Sequence, residues 1–255
     1  MRLKDKAIIV TGSTTGIGEA IARRCVEEGA HVLVHGTNRA AGEKVATELQ
    51  APLVIADLAL PLSADVLVAE AMAAFGKLDG IVNNAAWVVR AAISEVSPEL
   101  FDKVMAVNCR APLLLIKAAL SQLAQTRGSV VNIGSVNAYC GEEKLLPYSI
   151  SKGALMTMTR NLGDTLMRDH LVRVNQVNPG WVLTENERRY KQEEGMPEDW
   201  PTRLSKLFAP AGRIFTPAEM TEPVIYFLSD ASGPVSGQVL DVEQHPFIGR
   251  NPPKV

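Results

Sequence analysis

Residues 6–18 read Lys-Ala-Ile-Ile-Val-Thr-Gly-Ser-Thr-Thr-Gly-Ile-Gly. The run that ends at Val10 is short and apolar, as buried strands are, and apolar side chains then recur at helical spacing from Ala20 to Val26. The glycines between them allow a tight turn and a close approach of the backbone to a pyrophosphate. The N-terminus of the following helix favours that negative charge. The stretch therefore predicts the strand, turn and helix of a dinucleotide-binding fold.

Short apolar runs alternate with helical patterns along the rest of the chain, and strands are predicted at residues 30–35, 53–56, 79–83, 129–133, 173–177 and 238–242. This alternation predicts a Rossmann-like α/β fold, a doubly wound parallel β-sheet flanked by helices on both faces. No repeat or linker interrupts it, so we expect a single dinucleotide-binding and catalytic domain over residues 1–255. Ser97 and Pro98 predict the start of a long helix, which Pro112 should interrupt or bend.

The composition fits an enzyme that acts on small molecules. The chain has 255 residues, 47% of them hydrophobic, and a net charge of −2 with scattered basic residues, which predicts no nucleic-acid or membrane partner. No apolar stretch is expected to reach the roughly 20 residues of a membrane span, and no signal peptide is recognised, so the expected compartment is the cytoplasm. Cys25, Cys109 and Cys140 lack metal-ligand spacing and are interpreted as reduced thiols, and no metal is predicted.

Tyr148 and Lys152 stand four residues apart, and Ser135 follows the apolar run 130–133. On a helix the first two side chains share one face, so the ammonium of Lys152 should favour the phenolate of Tyr148 and lower its pKa from about 10 toward working pH. Such a group can exchange a proton with a carbonyl or an alcohol. Alone, the pair is more often an ordinary feature of a helix surface.

Polar and glycine residues follow several predicted strands. Gly12, Asp57, Asn83, Ser135 and the pair Pro179-Gly180 each come where a strand should end. Because ligands bind beyond the carboxyl ends of parallel strands, these positions should converge on one cleft.

Together these motifs resemble, in order and spacing, the classical short-chain dehydrogenase/reductase family over residues 5–242. The matching motifs are Thr11-Gly12-(x)3-Gly16-Ile17-Gly18, Asn83-Asn84-Ala85-Ala86, Asn108, Ser135, Tyr148-(x)3-Lys152 and Asn178-Pro179-Gly180. Ala86 departs from the family, which usually has glycine there. The resemblance implies an NAD(P)-dependent oxidoreductase that transfers a hydride between nicotinamide and a secondary alcohol or ketone.

The resemblance also implies the catalytic roles. Tyr148 would be the general acid in reduction and the general base in oxidation, while Ser135 would hydrogen-bond the substrate oxygen. Lys152 would lower the pKa of Tyr148 and bind the nicotinamide ribose. Asn108 would hold a water that links the lysine to solvent, the alternative being a structural break in the long helix.

The implied cofactor contacts are spread over the strand ends. They are Gly12, Thr14, Thr15, Gly16, Ile17 and Gly18 in the glycine turn, Asp57 and Leu58 at the adenine, Asn84 and Ala85 at the adenosine, Tyr148 and Lys152 at the nicotinamide ribose, and Pro179, Gly180, Val182 and Thr184 near the nicotinamide. For Asp57 and Thr184 the alternatives are a turn residue and a helix cap.

The cofactor preference depends on the end of the second strand. An acidic residue there would bind the ribose of NAD, and none is present in residues 34–39. Arg39 is placed to pair with the 2′-phosphate of NADP, and His35 or Thr37 to donate to it, so NADP is favoured over NAD. The family's NADP enzymes more often have arginine where Thr37 or Thr15 stands, and Arg39 is alternatively a solvated helix residue.

The substrate should be selected by residues 185–215, which the resemblance makes a lid over the cleft. Trp87, Asn137, Glu142 and Trp181 flank the motifs and are candidates for the pocket lining, with Trp181 either stacking on a sugar ring or packing. A sugar, polyol or hydroxy acid is the first hypothesis. A 3-oxoacyl-thioester (acyl carrier protein) reductase and a non-catalytic cofactor-sensing or structural protein are the alternatives.

Two further expectations concern assembly. The resemblance implies a homotetramer, formed through the long helix and the Tyr148 helix. The tail, residues 243–255, folds over a neighbouring subunit's site or forms an ordered surface end.

Overall fold

The computed structural model describes residues 1–139 and 141–245, so Cys140 and residues 246–255 of the predicted tail lie outside the described residues. Seven parallel strands form one sheet in the order β3-β2-β1-β4-β5-β6-β7. They are β1 (Ala7–Val10), β2 (His31–Gly36), β3 (Leu53–Ile55), β4 (Gly80–Asn83), β5 (Ser129–Ile133), β6 (Arg173–Pro179) and β7 (Val239–Val242). Each predicted strand is present, with ends displaced by two residues at most. The predicted Rossmann-like α/β fold is confirmed.

Helices connect the strands and cover both faces of the sheet. The α-helices are α1 (Gly16–Glu27), α2 (Arg39–Leu49), α3 (Ser63–Phe75), α4 (Pro98–Met105), α5 (Ala111–Thr126), α6 (Leu146–His170), α7 (Glu185–Glu193) and α8 (Thr221–Leu228). On one face α3, α5 and α6 bury a core that includes Leu67, Leu115 and Leu166. On the other, α1 and α8 bury Ile21, Ile225 and their neighbours. The sheet is therefore buried between two apolar layers, one on each face.

The predicted long helix is present and contains an irregular turn. Ser97 caps it, its side chain accepting a hydrogen bond from the Leu100 amide at 3.2 Å. Residues 106–110 form a π-helical turn between α4 and α5. Pro112, near the start of α5, has no N–H for the Asn108 carbonyl that an α-helix would pair with it. The predicted interruption therefore takes the form of a π turn, which determines where Asn108 lies.

The same helix corrects one expectation. Pro98–Thr126, 29 residues long, is apolar enough by length and composition to cross a membrane, although no such stretch was expected from the sequence. Core helices of globular domains meet the same criterion, and here Leu115, Ile116 and Leu123 are buried in the core. Length and composition alone are thus weak evidence for a membrane span.

Candidate active site

The carboxyl ends of the parallel strands open into a cleft of about 1300 Å³. That volume exceeds an ordinary small-molecule pocket and can hold a dinucleotide with a second molecule. Most of the predicted site residues line it, namely Gly12, Thr14, Thr15, Gly16, Ile17, Gly18, Thr37, Asp57, Leu58, Asn84, Ala85, Ser135, Tyr148, Lys152, Pro179, Gly180, Val182 and Thr184. Asn108 and Arg39 are not among the lining residues.

The glycine turn is shaped for a pyrophosphate. Gly12 has φ +63° and Gly16 φ +59°, conformations that glycine adopts without strain. A Cβ on Gly18 would lie 2.2 Å from the Gly12 carbonyl oxygen, so the first turn of α1 packs directly on the loop. Thr15 precedes α1 without a side-chain cap, which leaves the first amide groups of the helix available to an anion. These features fit the phosphates of a dinucleotide cofactor.

Asn84 holds the glycine turn from the β4 side. Its side-chain amide donates to the carbonyls of Thr11, at 2.9 Å, and Gly12, at 3.1 Å. In return the Thr11 hydroxyl accepts from the backbone amides of Asn84 and Ala85. The side chain of Asn84 therefore orders the loop, while Ala85 presents its surface to the cleft.

At the end of β2, Arg39 has the solvated position that was its alternative, and His35 differs from the expectation. The guanidinium of Arg39 lies on the outside of α2, 71% exposed and 3.6 Å from the Glu43 carboxylate. The ring of His35 is buried and is engaged by Gly12 and the Ala56 carbonyl, so it has no N–H for a 2′-phosphate. Thr37 is exposed and lines the cleft, and so remains in place to donate to that phosphate.

Tyr148, Lys152 and Ser135 come together at the ends of β5 and α6. The Lys152 ammonium lies 5.6 Å from the centre of the Tyr148 ring and donates to the Ile133 carbonyl at 2.7 Å. Burial raises the pKa of Tyr148 to about 12, and a hydrogen bond with Ser135 offsets only part of that rise. Burial lowers the pKa of Lys152 to about 8.

These shifts differ from the expectation that the lysine lowers the tyrosine pKa. The ammonium lies over the ring and is directed to a carbonyl, so desolvation of the phenol dominates.

Asn108 lies behind the cleft, where the π turn directs its side chain between two elements. Its amide oxygen accepts from the Trp87 amide at 2.7 Å. Its amide nitrogen donates to the Trp87 carbonyl at 3.1 Å and to the Ser151 hydroxyl at 3.0 Å. Ser151 in turn donates to the Tyr148 carbonyl at 2.6 Å. Asn108 thus connects the loop after β4 to the first turn of the Tyr148 helix.

A chain of buried polar side chains links β5 to β6 through α6 and ends at Ser135. The Asn178 amide oxygen accepts from the Ser135 backbone amide at 3.1 Å and from Gln176 at 2.7 Å. From Gln176 the chain continues at 2.8 Å per contact through the Thr159 hydroxyl to Asn132. Sequence reasoning missed Asn132 and Gln176. The available signal was the presence of polar residues inside two strands that are buried along their whole length.

The far wall of the cleft belongs to residues 181–215. Phe215 forms a bridge with Val182, which joins the end of the predicted lid, residues 185–215, to the segment just before it. Thr184 caps α7 by accepting from the Glu187 amide at 3.1 Å, as in the alternative interpretation. Trp181 stacks on Trp200 with ring centroids 5.3 Å apart. Packing therefore accounts for one face of the Trp181 ring.

The thiols described are poorly suited to act as nucleophiles. Burial raises the pKa of Cys25 to about 12 and also raises that of Cys109, which keeps both protonated near neutral pH. Among residues 1–139 and 141–245, no group of three or more metal-ligating side chains is close enough to hold an ion.

The glycine turn, residues 12–18, forms a pyrophosphate cradle at the carboxyl ends of a parallel sheet, beside a tyrosine, a lysine and a serine. This arrangement defines a nicotinamide-dependent oxidoreductase of the short-chain type. A family model described as enoyl-(acyl carrier protein) reductase matches residues 12–244. The chain belongs to the classical short-chain dehydrogenase/reductase family. It is an NAD(P)-dependent oxidoreductase that acts on CH–OH groups.

Curated relatives carry several activities in their names. L-fucose dehydrogenase of Mus musculus is 34% identical over 234 residues, 91% of this chain and 85% of the relative. Sorbitol dehydrogenase of Cereibacter sphaeroides is 30% identical over 251 residues, 95% of this chain and 98% of the relative. NADP-dependent (R)-specific alcohol dehydrogenase of Lentilactobacillus kefiri is 32% identical over 239 residues, 91% and 92% of the two chains.

Proposed function

We propose that Tyr148 exchanges a proton with the substrate oxygen while Ser135 hydrogen-bonds that oxygen. The observation that carries this proposal is the meeting of the two hydroxyls in the cleft, with the ammonium of Lys152 buried beside them. Bound nicotinamide supplies the hydride in reduction and accepts it in oxidation. The chain's own part is to hold the oxygen, to give it a proton in reduction and to remove one in oxidation.

Lys152 would keep positive charge near the reacting proton. Its pKa of about 8 leaves most of the amine protonated at neutral pH. The ammonium favours loss of the phenolic proton when Tyr148 acts as a base. Asn108 would support proton transfer at Tyr148 by fixing the start of α6 through Ser151, since its own amide atoms are already engaged.

The proposed substrate is a sugar, a polyol or a hydroxy acid. The lining of the cleft beyond Ser135 includes charged and neutral polar side chains, which are Arg90, Asn137, Glu142, Glu187, Tyr190 and Lys191. A molecule with several hydroxyl groups offers donors and acceptors to such a wall, whereas an apolar alcohol offers a single hydroxyl. The names of the fucose and sorbitol relatives support the same class.

A substrate panel tests this proposal. We expect kcat/KM at least about tenfold higher for hydroxyl-rich substrates such as L-fucose and sorbitol than for apolar secondary alcohols of similar size. Tyr148→Phe should lower kcat for every substrate by about 100-fold or more. Preference for apolar alcohols would contradict the substrate class, and full activity of the Phe variant would contradict the role of Tyr148. A 3-oxoacyl thioester in the same panel tests the competing activity.

We also propose NADP as the preferred cofactor. Residues 34–39 contain no carboxylate that would repel a 2′-phosphate. The long ion pair of Arg39 with Glu43 is exposed and weak, so the guanidinium is free to turn toward a bound phosphate. Titration with NADPH and NADH should show that the wild type binds NADPH more tightly. Arg39→Ala should remove this preference, whereas Lys44→Ala, a change at an exposed position on the same helix, should retain it. Equal affinities, or equal effects of the two variants, would contradict the proposal.

A homotetramer is the proposed assembly. Leu113 on α5 and Ile150 on α6 are each 44% exposed, on the helices implied in subunit contacts. Light scattering of the purified protein distinguishes a tetramer from a dimer or a monomer.

A further inference from the structure

The imidazole of His35 joins two parts of the cofactor cleft. It stands near the end of β2 and is 2% exposed. Its Nδ1 lies 3.1 Å from the Gly12 amide nitrogen, in the glycine turn. Its Nε2 lies 3.1 Å from the Ala56 carbonyl oxygen, directly before Asp57. One buried side chain thus connects the pyrophosphate loop to the segment predicted to contact the adenine.

The partners determine the tautomer of the ring. The Gly12 amide can only donate, so Nδ1 must accept and carry no proton. The Ala56 carbonyl can only accept, so Nε2 must carry the hydrogen. The ring is therefore neutral and satisfied at both nitrogens. A second proton would have to bind Nδ1, where it would face the Gly12 N–H and break that hydrogen bond.

The backbone around His35 reinforces this connection. Its amide donates to the Ser13 hydroxyl at 3.0 Å, and its carbonyl accepts from the Ser13 amide at 2.9 Å. On the opposite side, the Asn84 side chain donates to the Gly12 carbonyl. Gly12, with its positive φ, is therefore held from both sides, and the imidazole supplies the contact to its N–H.

We propose that His35 is a positioning residue for cofactor binding, which holds the glycine turn in its binding conformation only while the imidazole is neutral. Acidification would therefore weaken the binding of NADH and NADPH alike. The inference is independent of the substrate and of the 2′-phosphate, because the contact is made to the turn that receives the pyrophosphate.

The charged groups around the ring influence the pH at which His35 takes up its second proton. Burial lowers the pKa of His35, while the Ala56 carbonyl and the Asp57 carboxylate act in the opposite direction. Residues 7–18 and 53–56 contribute no charged side chain. The neutral ring should therefore persist through neutral pH, and protonation should occur below the usual histidine range.

Two variants separate the two nitrogens of the ring. In His35→Asn, the amide oxygen takes the place of Nδ1 and accepts from Gly12, but it does not titrate in this range. In His35→Gln, the amide nitrogen takes the place of Nε2 and keeps the bond to Ala56, but Gly12 loses its acceptor. His31→Asn is the matched control, since His31 is an exposed histidine of the same strand.

The experiment is a titration of the purified enzyme with NADH and NADPH, followed by nicotinamide fluorescence, at about pH 8 and about pH 5. Near-ultraviolet circular dichroism checks that each protein stays folded. The wild type and His31→Asn should bind more weakly at the lower pH, by a factor that grows as the pH is lowered further. His35→Asn should bind with nearly the same affinity at both, and His35→Gln about tenfold more weakly at both. The proposal is overturned if His35→Asn keeps the wild-type pH dependence, or if His35→Gln binds like the wild type.

A second measurement needs no variant and no cofactor. Nitrogen-15 chemical shifts of the His35 ring in the wild-type protein should show a bare Nδ1 and a protonated Nε2 at neutral pH. The opposite tautomer, or a charged ring, would overturn the proposal even if both variants failed to fold.

Discussion

Gly18→Ala is the sharpest test of the cofactor cradle. A methyl group on Gly18 would lie 2.2 Å from the Gly12 carbonyl oxygen and 2.3 Å from the Asn84 side-chain nitrogen. Ordinary contacts of carbon are about 3.5 Å, so the turn and the start of α1 must separate by about 1 Å. The obstacle at Gly12 is backbone, which cannot rotate away as a side chain can. A misplacement of about 1 Å in an active site can cost about 100-fold in rate, and we expect a loss of similar size in cofactor affinity when the phosphate contacts are displaced.

We therefore expect Gly18→Ala to weaken NADPH binding by about 100-fold in fluorescence titration. It should also lower the free energy of unfolding in urea by about 1–3 kcal/mol. The control is Gly153→Ala in α6, where the new methyl group would meet its nearest atom, the Ala138 carbonyl oxygen, at 3.5 Å. The control should bind NADPH normally. Binding by Gly18→Ala within about twofold of the wild type would refute this account of the cradle.

Three further predictions concern charge and hydrogen bonding. Lys152→Met should abolish turnover yet raise stability in urea by up to about 3 kcal/mol at neutral pH. That gain should fade as pH rises from about 8 toward 10.5, where the buried amine of the wild type becomes neutral. Asn108→Ala removes three hydrogen bonds and should cost about 2–4 kcal/mol in the same assay. Arg2 lowers the pKa of Glu28 to about 2. The resulting stabilisation of the folded state is therefore present above about pH 4.5 and is lost as the pH falls toward 2. Acid unfolding followed by circular dichroism should accordingly show a smaller pH dependence in Glu28→Gln.

The strands and their ends were predictable because their signals are local. Residues 129–133 form an uninterrupted buried strand in the structure, as the sequence predicted. Ser135 lies two residues beyond this strand and lines the cleft together with Gly12, which lies two residues beyond β1. In a parallel sheet the carboxyl ends of the strands share one edge, so order along the chain was enough to place these residues together.

The contacts behind the site were not predictable in this way. Asn132 meets Thr159, and His35 meets Gly12 and Ala56, through pairs of residues that are far apart in the sequence. Nothing in the local pattern says which partner a buried amide or imidazole will find. The sequence does show that a polar residue stands within a buried strand, and such a residue must be paired when the chain folds.

The tyrosine and lysine show why spacing alone gives an incomplete electrostatic argument. Their separation of four residues correctly places them together, but the same packing removes both from water. Burial then opposes the charged form of each, with a pKa of about 12 for Tyr148 and about 8 for Lys152. The free enzyme therefore holds a protonated phenol, which in the proposed mechanism is the form that acts as an acid in reduction. Oxidation needs the phenolate, so its rate should rise with pH across the range in which reduction falls.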